Sequence, residues 1–231
     1  SDGLNTGLYR LDGTVSQIAT RDYTSQRRLN GAYTDLSLSF RDYLFLNIAA
    51  RNDWSSTLPK DNNNYFYPSA SVSFVLSEAL TMPGFMNYAK VRVAASKVGN
   101  DADPYLTSTN YQIGVPFTTS GGTKVNRASL ANTLGNPALK PEFTTEYEAG
   151  AELKFLNNKV GLDVTYFQRT STDQILRAAL PRSTGFTEQV VNFGELENKG
   201  WEVGLNITPV QLSNGFTWDT YFAFTRIKSL V

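Results

Sequence analysis

The sequence predicts an all-β fold: an antiparallel meander of long strands forming part of a transmembrane β-barrel. Three observations carry that prediction. One hairpin has a wholly apolar and a charged face, its strands are longer than soluble sheets use, and the connections along the chain alternate between short and long. The hairpin runs from Glu142 to Gln174 around Asn157-Asn158. Asn tolerates positive φ, so this pair suits the tight primed turn of a hairpin. With the pair at the tip, Phe155 faces Val160, Leu153 faces Leu162, Ala151 faces Val164 and Ala149 faces Tyr166. On the other face Glu152 meets Asp163, Lys154 meets Gly161 and Glu146 meets Arg169, with Glu148 close by. A slip of one residue would exchange the faces, so the pattern pins the register. Soluble strands average about five or six residues. These alternate for about a dozen, past the roughly nine to eleven that a tilted strand needs to cross a bilayer.

The other elements follow in order. Gly7 to Thr20 is a candidate strand, and Thr24 to Arg28 reads as a polar loop. Leu36, Leu38 and Phe40 share a face that Leu44, Leu46, Ile48 and Ala50 continue after a three-residue turn at Arg41-Asp42-Tyr43. This turns Asn47, Arg51 and Asp53 inward. Residues 54–64 hold Pro, Lys, Asp and three Asn and read as an exposed loop. A strand is expected over Tyr65 to Ser77, a turn around Met82-Pro83-Gly84, and a strand over Tyr88 to Val98 with Lys90 and Arg92 inward. Asn100 to Pro141 is rich in Gly, Pro, Asn, Thr and Ser and reads as one long loop, the kind that is functional or disordered. A second loop is expected over 178–194. Then come a strand from Glu195 to Pro209 and a last one carrying Phe216, Trp218, Phe222 and Phe224 on one face. Phe40, Phe155, Phe216 and Trp218 lie beside short turns, where a lower aromatic girdle belongs. The reading gives about eight or nine strands.

Composition narrows the chemistry. The 231 residues carry 21 basic and 21 acidic side chains, so nothing favours nucleic acid. Aromatics make up 13%, mostly Tyr and Phe, and mean hydropathy is −0.30. Tyr and Trp suit a membrane interface. No apolar run approaches the roughly 18 residues of a spanning helix, as a barrel with every second residue toward lipid requires. Cys and His are both absent, which removes thiolate sites, His-based triads and nearly all zinc chemistry. No catalytic residue, metal site or cofactor is expected. Ser1 opens a polar stretch, so a targeting segment is expected to have been removed or never included.

Four runs resemble the SusC/RagA-like TonB-dependent transporters of the Bacteroidota outer membrane. They are Arg51-Asn52-Asp53-Trp54-Ser55-Ser56-Thr57-Leu58-Pro59 with Tyr65-Phe66-Tyr67-Pro68-Ser69; Lys97-Val98-Gly99-Asn100-Asp101 with Pro104-Tyr105; Asn136-Pro137-Ala138-Leu139-Lys140-Pro141-Glu142; and Gly194-Glu195-Leu196-Glu197-Asn198-Lys199-Gly200-Trp201-Glu202. Together, in family order, they are far more specific than any one motif. The resemblance implies a plugged barrel that imports oligosaccharides or peptides. It would be capped by a SusD-like surface lipoprotein, energised by the TonB complex acting on the plug, and embedded in outer-membrane lipid. No plug, TonB box, amino-terminal extension or closing aromatic-ended strand is found. The expectation is therefore a carboxyl-side piece covering under half of a wall of about 22 strands.

Six residues are candidates for ligand or lid contact: Arg51, Asp53, Trp54, Asp101, Asp103 and Tyr105. For the first three the alternative is structural, with Arg51 and Asp53 tying the inner wall and Trp54 anchoring the interface. The Asp61 to Asn64 and Asp101 to Asp103 clusters offer hard oxygen ligands for calcium but lack EF-hand spacing, and as turns they are mostly solvated. The paired carboxylates of the hairpin have a spacing that any polar sheet face produces, so a glycosidase is not expected. The competing fold is a soluble β-sandwich binding carbohydrate through Tyr and Trp, which would bury the apolar face against a second sheet.

Overall fold

The computed structural model describes residues 24–231, and the candidate strand over Gly7 to Thr20 falls outside them. The long strands are β1 (Leu29–Phe40), β2 (Leu44–Ser55), β3 (Asn64–Val75), β4 (Met86–Asn100), β8 (Glu142–Phe155), β9 (Val160–Thr172), β12 (Glu195–Gln211) and β13 (Thr217–Leu230). They form one sheet in the order β1-β2-β3-β4-β8-β9-β12-β13, antiparallel throughout. At about 3.3 Å per residue these 12- to 17-residue strands outrun the apolar thickness of an outer membrane.

Alternation fixed the register. Every hairpin pair named above is observed, from Phe155↔Val160 to Glu146↔Arg169, as are Phe40↔Leu44 and Leu36↔Ile48. Asn157 and Asn158 have φ of 56° and 64°, and the Lys159 amide closes the turn on the Leu156 carbonyl at 3.3 Å. The side chain of Asn87 accepts from the Asn157 amide at 2.6 Å, joining this turn to the neighbouring one.

Apolar side chains line up in rows across the sheet. One row reads Phe40, Leu44, Phe74, Val91, Ala151, Val164, Val203 and Phe224. The next row toward the long connections ends in Tyr166, Trp201 and Arg226. Eight positions separate Arg226 from Trp218 along β13. At a tilt of about 40° they span ~20 Å, close to the ~25 Å apolar band of such barrels. The opposite face carries Lys90, Glu152 and Asp163 in one row, with Arg92 donating to both oxygens of Asp163 at 3.0 Å. Gly150 lies beneath that guanidinium, and a Cβ there would come within 2.9 Å of it.

The close backbone contacts among the described strands run edge to edge between hydrogen-bonded neighbours, apart from one helical turn beside β4. Val93, Trp201 and Phe224 accordingly remain 55%, 51% and 59% exposed. Among the described residues no second layer covers that face, as a sandwich would require.

Three expectations are corrected. The strand from Tyr65 stops at Val75, because Leu76–Ala79 winds into a helical turn closed by Leu80 N–H to Leu76 C=O at 2.8 Å. The stretch 100–141 is not one irregular loop but holds β5 (Tyr111–Thr118), β6 (Lys124–Leu130) and β7 (Thr133–Leu134). The loop over 178–194 likewise includes part of β10 (Ile175–Ala179) and all of β11 (Glu188–Asn192). Strands β10, β11 and β7 form a small sheet, with β11 and β7 parallel, so the two insertions are sewn together. These strands are too short to display a period, and their partners lie far away in sequence. The buried cluster of Leu58, Tyr65, Ala102, Leu139 and Val190 sits here, at the long-connection end, rather than on a sheet face.

Val164→Arg, placed within the apolar band, should cost about 2–4 kcal/mol of barrel stability. Denaturant unfolding in lipid vesicles would measure it, and Glu152→Gln on the other face should change little.

Candidate functional site

Strand alternation sends Arg51 and Asp53 to one face, and the β2–β3 register sets Arg51 opposite Tyr67 and Asp53 opposite Tyr65. Arg51 Nε donates to Asp53 Oδ1 at 2.8 Å and the Tyr67 hydroxyl donates to Oδ2 at 2.6 Å. The Tyr65 and Tyr67 rings stack at 6.0 Å. Both carboxylate oxygens of buried Asp53 are thus engaged, while Arg51 stays half-exposed with donors to spare. Arg51 is the member of this group that remains open to solvent. Trp54 points to the opposite face and stays half-exposed, so the structure separates it from Arg51 and Asp53.

Asp101 is a buried knot. It accepts from Arg27 Nε at 3.0 Å and from Thr57 Oγ1 at 3.0 Å, and it takes closer contacts from Arg27 Nη2 and Ser55 Oγ. Its side chain is 2% exposed. Ser56 binds the Arg28 backbone on both sides, amide to carbonyl at 2.9 Å and amide to Oγ at 2.8 Å. Tyr105, at φ 68°, accepts from the Gln26 amide through its hydroxyl at 3.1 Å. Asp101 and Tyr105 therefore hold the segment entering β1 against the first long connection.

Asp103 lines a cleft of about 200 Å³ with Asn100, Leu106, Glu142, Ile175 and Arg177. Glu142 is committed there, accepting from the Ile175 amide at 2.6 Å and Asn100 Nδ2 at 3.2 Å. Among the described residues no three carboxylates converge as a metal site would require. Glu188 on β11 accepts from Thr133 Oγ1 at 2.6 Å and Arg177 Nη1 at 2.8 Å. The hydrogen bonds from Thr133 and Arg177, in that order, hold its carboxyl below the usual carboxylate range. Folded Glu188 thus favours the charged form, and its small contribution to the cap is lost as pH falls through that lowered value. The β5–β6 hairpin lies outside this frame, with Tyr111 and Ile113 exposed on one face and Phe117, past a bulge, exposed on the other.

Tyr67, Ser55, Thr57 and Arg27 are site residues that the sequence reading did not single out. Alternation from Asp53 to Ser55 was a usable signal. The pairing with Asp101, 46 residues from Ser55, left none.

Asp101→Ala should leave Ser55, Thr57 and Arg27 without their acceptor, at a cost of about 2–3 kcal/mol felt locally. Limited proteolysis should then cut within 101–141 several-fold faster while the barrel strands stay protected; unchanged cleavage would contradict the knot.

The chain matches the family described as "TonB dependent receptor-like, beta-barrel" over residues 2–229. It is 31% identical over 98% of its length to TonB-dependent receptor P26 of Formosa agariphila, covering 23% of that protein. It is 28% identical to TonB-dependent receptor SusC of Bacteroides thetaiotaomicron over 88% of its length, covering 21% of that protein. Among solved structures, the RagAB peptide importer in its closed-closed state superposes with a TM-score of 0.76 at 19% identity, over 87% of this chain and 22% of that one. The siderophore receptor PirA from Pseudomonas aeruginosa superposes at 0.56 and 20% identity, over 87% of this chain and 34% of that one. The chain spans less than a quarter of the length of these curated relatives. By sequence and by fold, it belongs to the TonB-dependent receptor β-barrel family.

Proposed function

We propose that this chain is a carboxyl-side arc of the barrel wall of an outer-membrane, TonB-dependent importer of oligosaccharides or peptides. Its plug and remaining strands would come from the rest of a longer protein, and energy would reach the plug from the TonB complex. A SusD-like lipoprotein would cover the long-connection end. One observation supports this above the others: both large insertions emerge at the same end and are joined by the β10-β11-β7 sheet into one cap. Such a cap gives a lid or a captured solute a rigid seat, while the connections at the opposite end are shorter, none longer than the ten residues between β3 and β4.

Arg51, on the wall beside Tyr67, and Asp103, in the cleft of the cap, are the groups proposed to contact solute, Arg51 through its spare donors and Asp103 from the cleft wall. Asp53, Asp101 and Tyr105 shape the seat rather than touch cargo. Trp54 anchors the wall at the interface. The exposed β5–β6 hairpin is the element proposed to meet the lid.

The test removes that hairpin alone, because the whole of 100–141 includes Ala102 and Leu139 of the buried cluster. The Ala131 amide lies 2.9 Å from the Asn110 carbonyl, so 111–130 can be replaced by a short Gly-Ser turn. In the full-length transporter this should leave barrel assembly intact and reduce lid binding or solute uptake about tenfold. Unchanged lid binding and uptake would refute the assignment.

A further inference from the structure

On the charged face of the sheet a glycine sits where a long cation crosses a strand. Arg92 on β4 stands opposite Gly150 on β8, and Gly150 stands opposite Thr165 on β9. All three strands are interior, with a hydrogen-bonded neighbour on either side. The side chain of Arg92 reaches across β8 to β9. Its Nη1 and Nη2 donate to the two oxygens of Asp163 at 3.0 Å, and Nη2 donates also to Thr165 Oγ1 at 2.6 Å. Nε donates to Glu148 at 3.3 Å. Of the five N–H groups that a guanidinium carries, one is left over.

This crossing needs a residue without a side chain beneath it. A Cβ at position 150 would lie 2.9 Å from both Cζ and Nε of Arg92 and 3.1 Å from Nη2. Near-equal distances to three atoms of one plane set that plane face-on above Gly150, so the guanidinium lies flat on the wall. Elsewhere the far end of an arginine could yield to a new methyl group. Here yielding means giving up the hydrogen bonds to Asp163 and Thr165, which leaves carboxylates without their partner. The crossing also lies beside the outward row of Val91, Ala151 and Val164, at the depth of the apolar band.

We propose that Gly150 is a positioning residue for import. By letting Arg92 lie flat and fully engaged across β8, it keeps guanidinium bulk and charge out of the space through which the plug and its cargo move. This rests on the importer reading given above. Lifted from the wall, the guanidinium would stand into that space, and the donors it had committed to Asp163 and Thr165 would hold to passing carbonyls and carboxylates.

The test uses the full-length transporter and two readouts that need no identified solute. Phenylglyoxal consumes unengaged guanidinium groups, and its attachment at Arg92 is followed by mass spectrometry of peptides. Arg92 should react slowly in the wild type and several-fold faster in Gly150→Ala. In lipid vesicles, a tether then draws the plug from the barrel at constant force. Release should take roughly tenfold longer in Gly150→Ala, about what one hydrogen bond to a charged group is worth. In Gly150→Ala/Arg92→Ala it should return to the wild-type time. Asp163→Asn unties the same guanidinium without adding a Cβ. It should also speed labelling and slow release, and it decides the matter if Gly150→Ala fails to assemble. Unchanged labelling in these variants would overturn the proposal. Faster labelling with unchanged release would overturn it as well, because Gly150 would then serve packing alone. So would slow release that Arg92→Ala leaves uncorrected. A wild type with no plug to withdraw would refute the importer reading itself, which unchanged variants of a plugged wild type would leave standing.

Discussion

Hydrocarbon offers no water to an unpaired amide or carbonyl, and each one left bare costs several kcal/mol. That demand forces the backbone into complete ladders, and a ladder sends successive side chains to opposite solvents. Leu153, Leu162 and Val203 take one face because their neighbours Glu152, Asp163 and Glu202 take the other. The rows that run unbroken from Phe40 to Phe224 are the result of the same rule applied on eight strands. Inside, the charges that alternation delivers need partners, and Arg92 meets Glu148, Asp163 and Thr165 across three strands.

Beyond the aromatic belt the rule relaxes, and the chain changes character. The strands continue, but both faces become polar: Lys97, Glu197 and Lys199 appear on the face that carried Val and Leu lower down. Tyr65 lies against Gly99 where the β3–β4 ladder ends at Ser69 and Ser96, and a Cβ on Gly99 would strike that ring. From there the connections build their own small core and a polar knot at Asp101. The wall is held by its ladders, the cap by burial and hydrogen bonds within the protein.

What could be read in advance follows from this division. Alternation over a dozen residues specifies faces, register and turn positions, so the β8–β9 and β1–β2 pairings were legible pair by pair. Two-residue β7 has no period at all, and its parallel pairing with β11 joins positions 55 apart, Thr133 and Glu188. Leu76 and Ser77 extend the alternation of β3 even though the backbone has already turned helical. At the site, the Arg51–Asp53 contact lies two residues apart on one face and was readable. Tyr67 as its third member depends on cross-strand register. The Asp101 knot depends on folding the first long connection back over β2, which no local pattern records.

Measuring which solvent each face touches tests this account most directly. The chain contains no cysteine, so single cysteines at Leu153, Leu162 and Val203, and at Glu152, Asp163 and Glu202, can each carry a nitroxide label. In the full-length protein in lipid vesicles, collision rates with dissolved oxygen and with a water-soluble nickel chelate should alternate residue by residue. Oxygen should dominate at the first three positions and the chelate at the other three. Low collision with both reagents at Leu153, Leu162 and Val203 would mean that protein covers this face, and the account would be wrong.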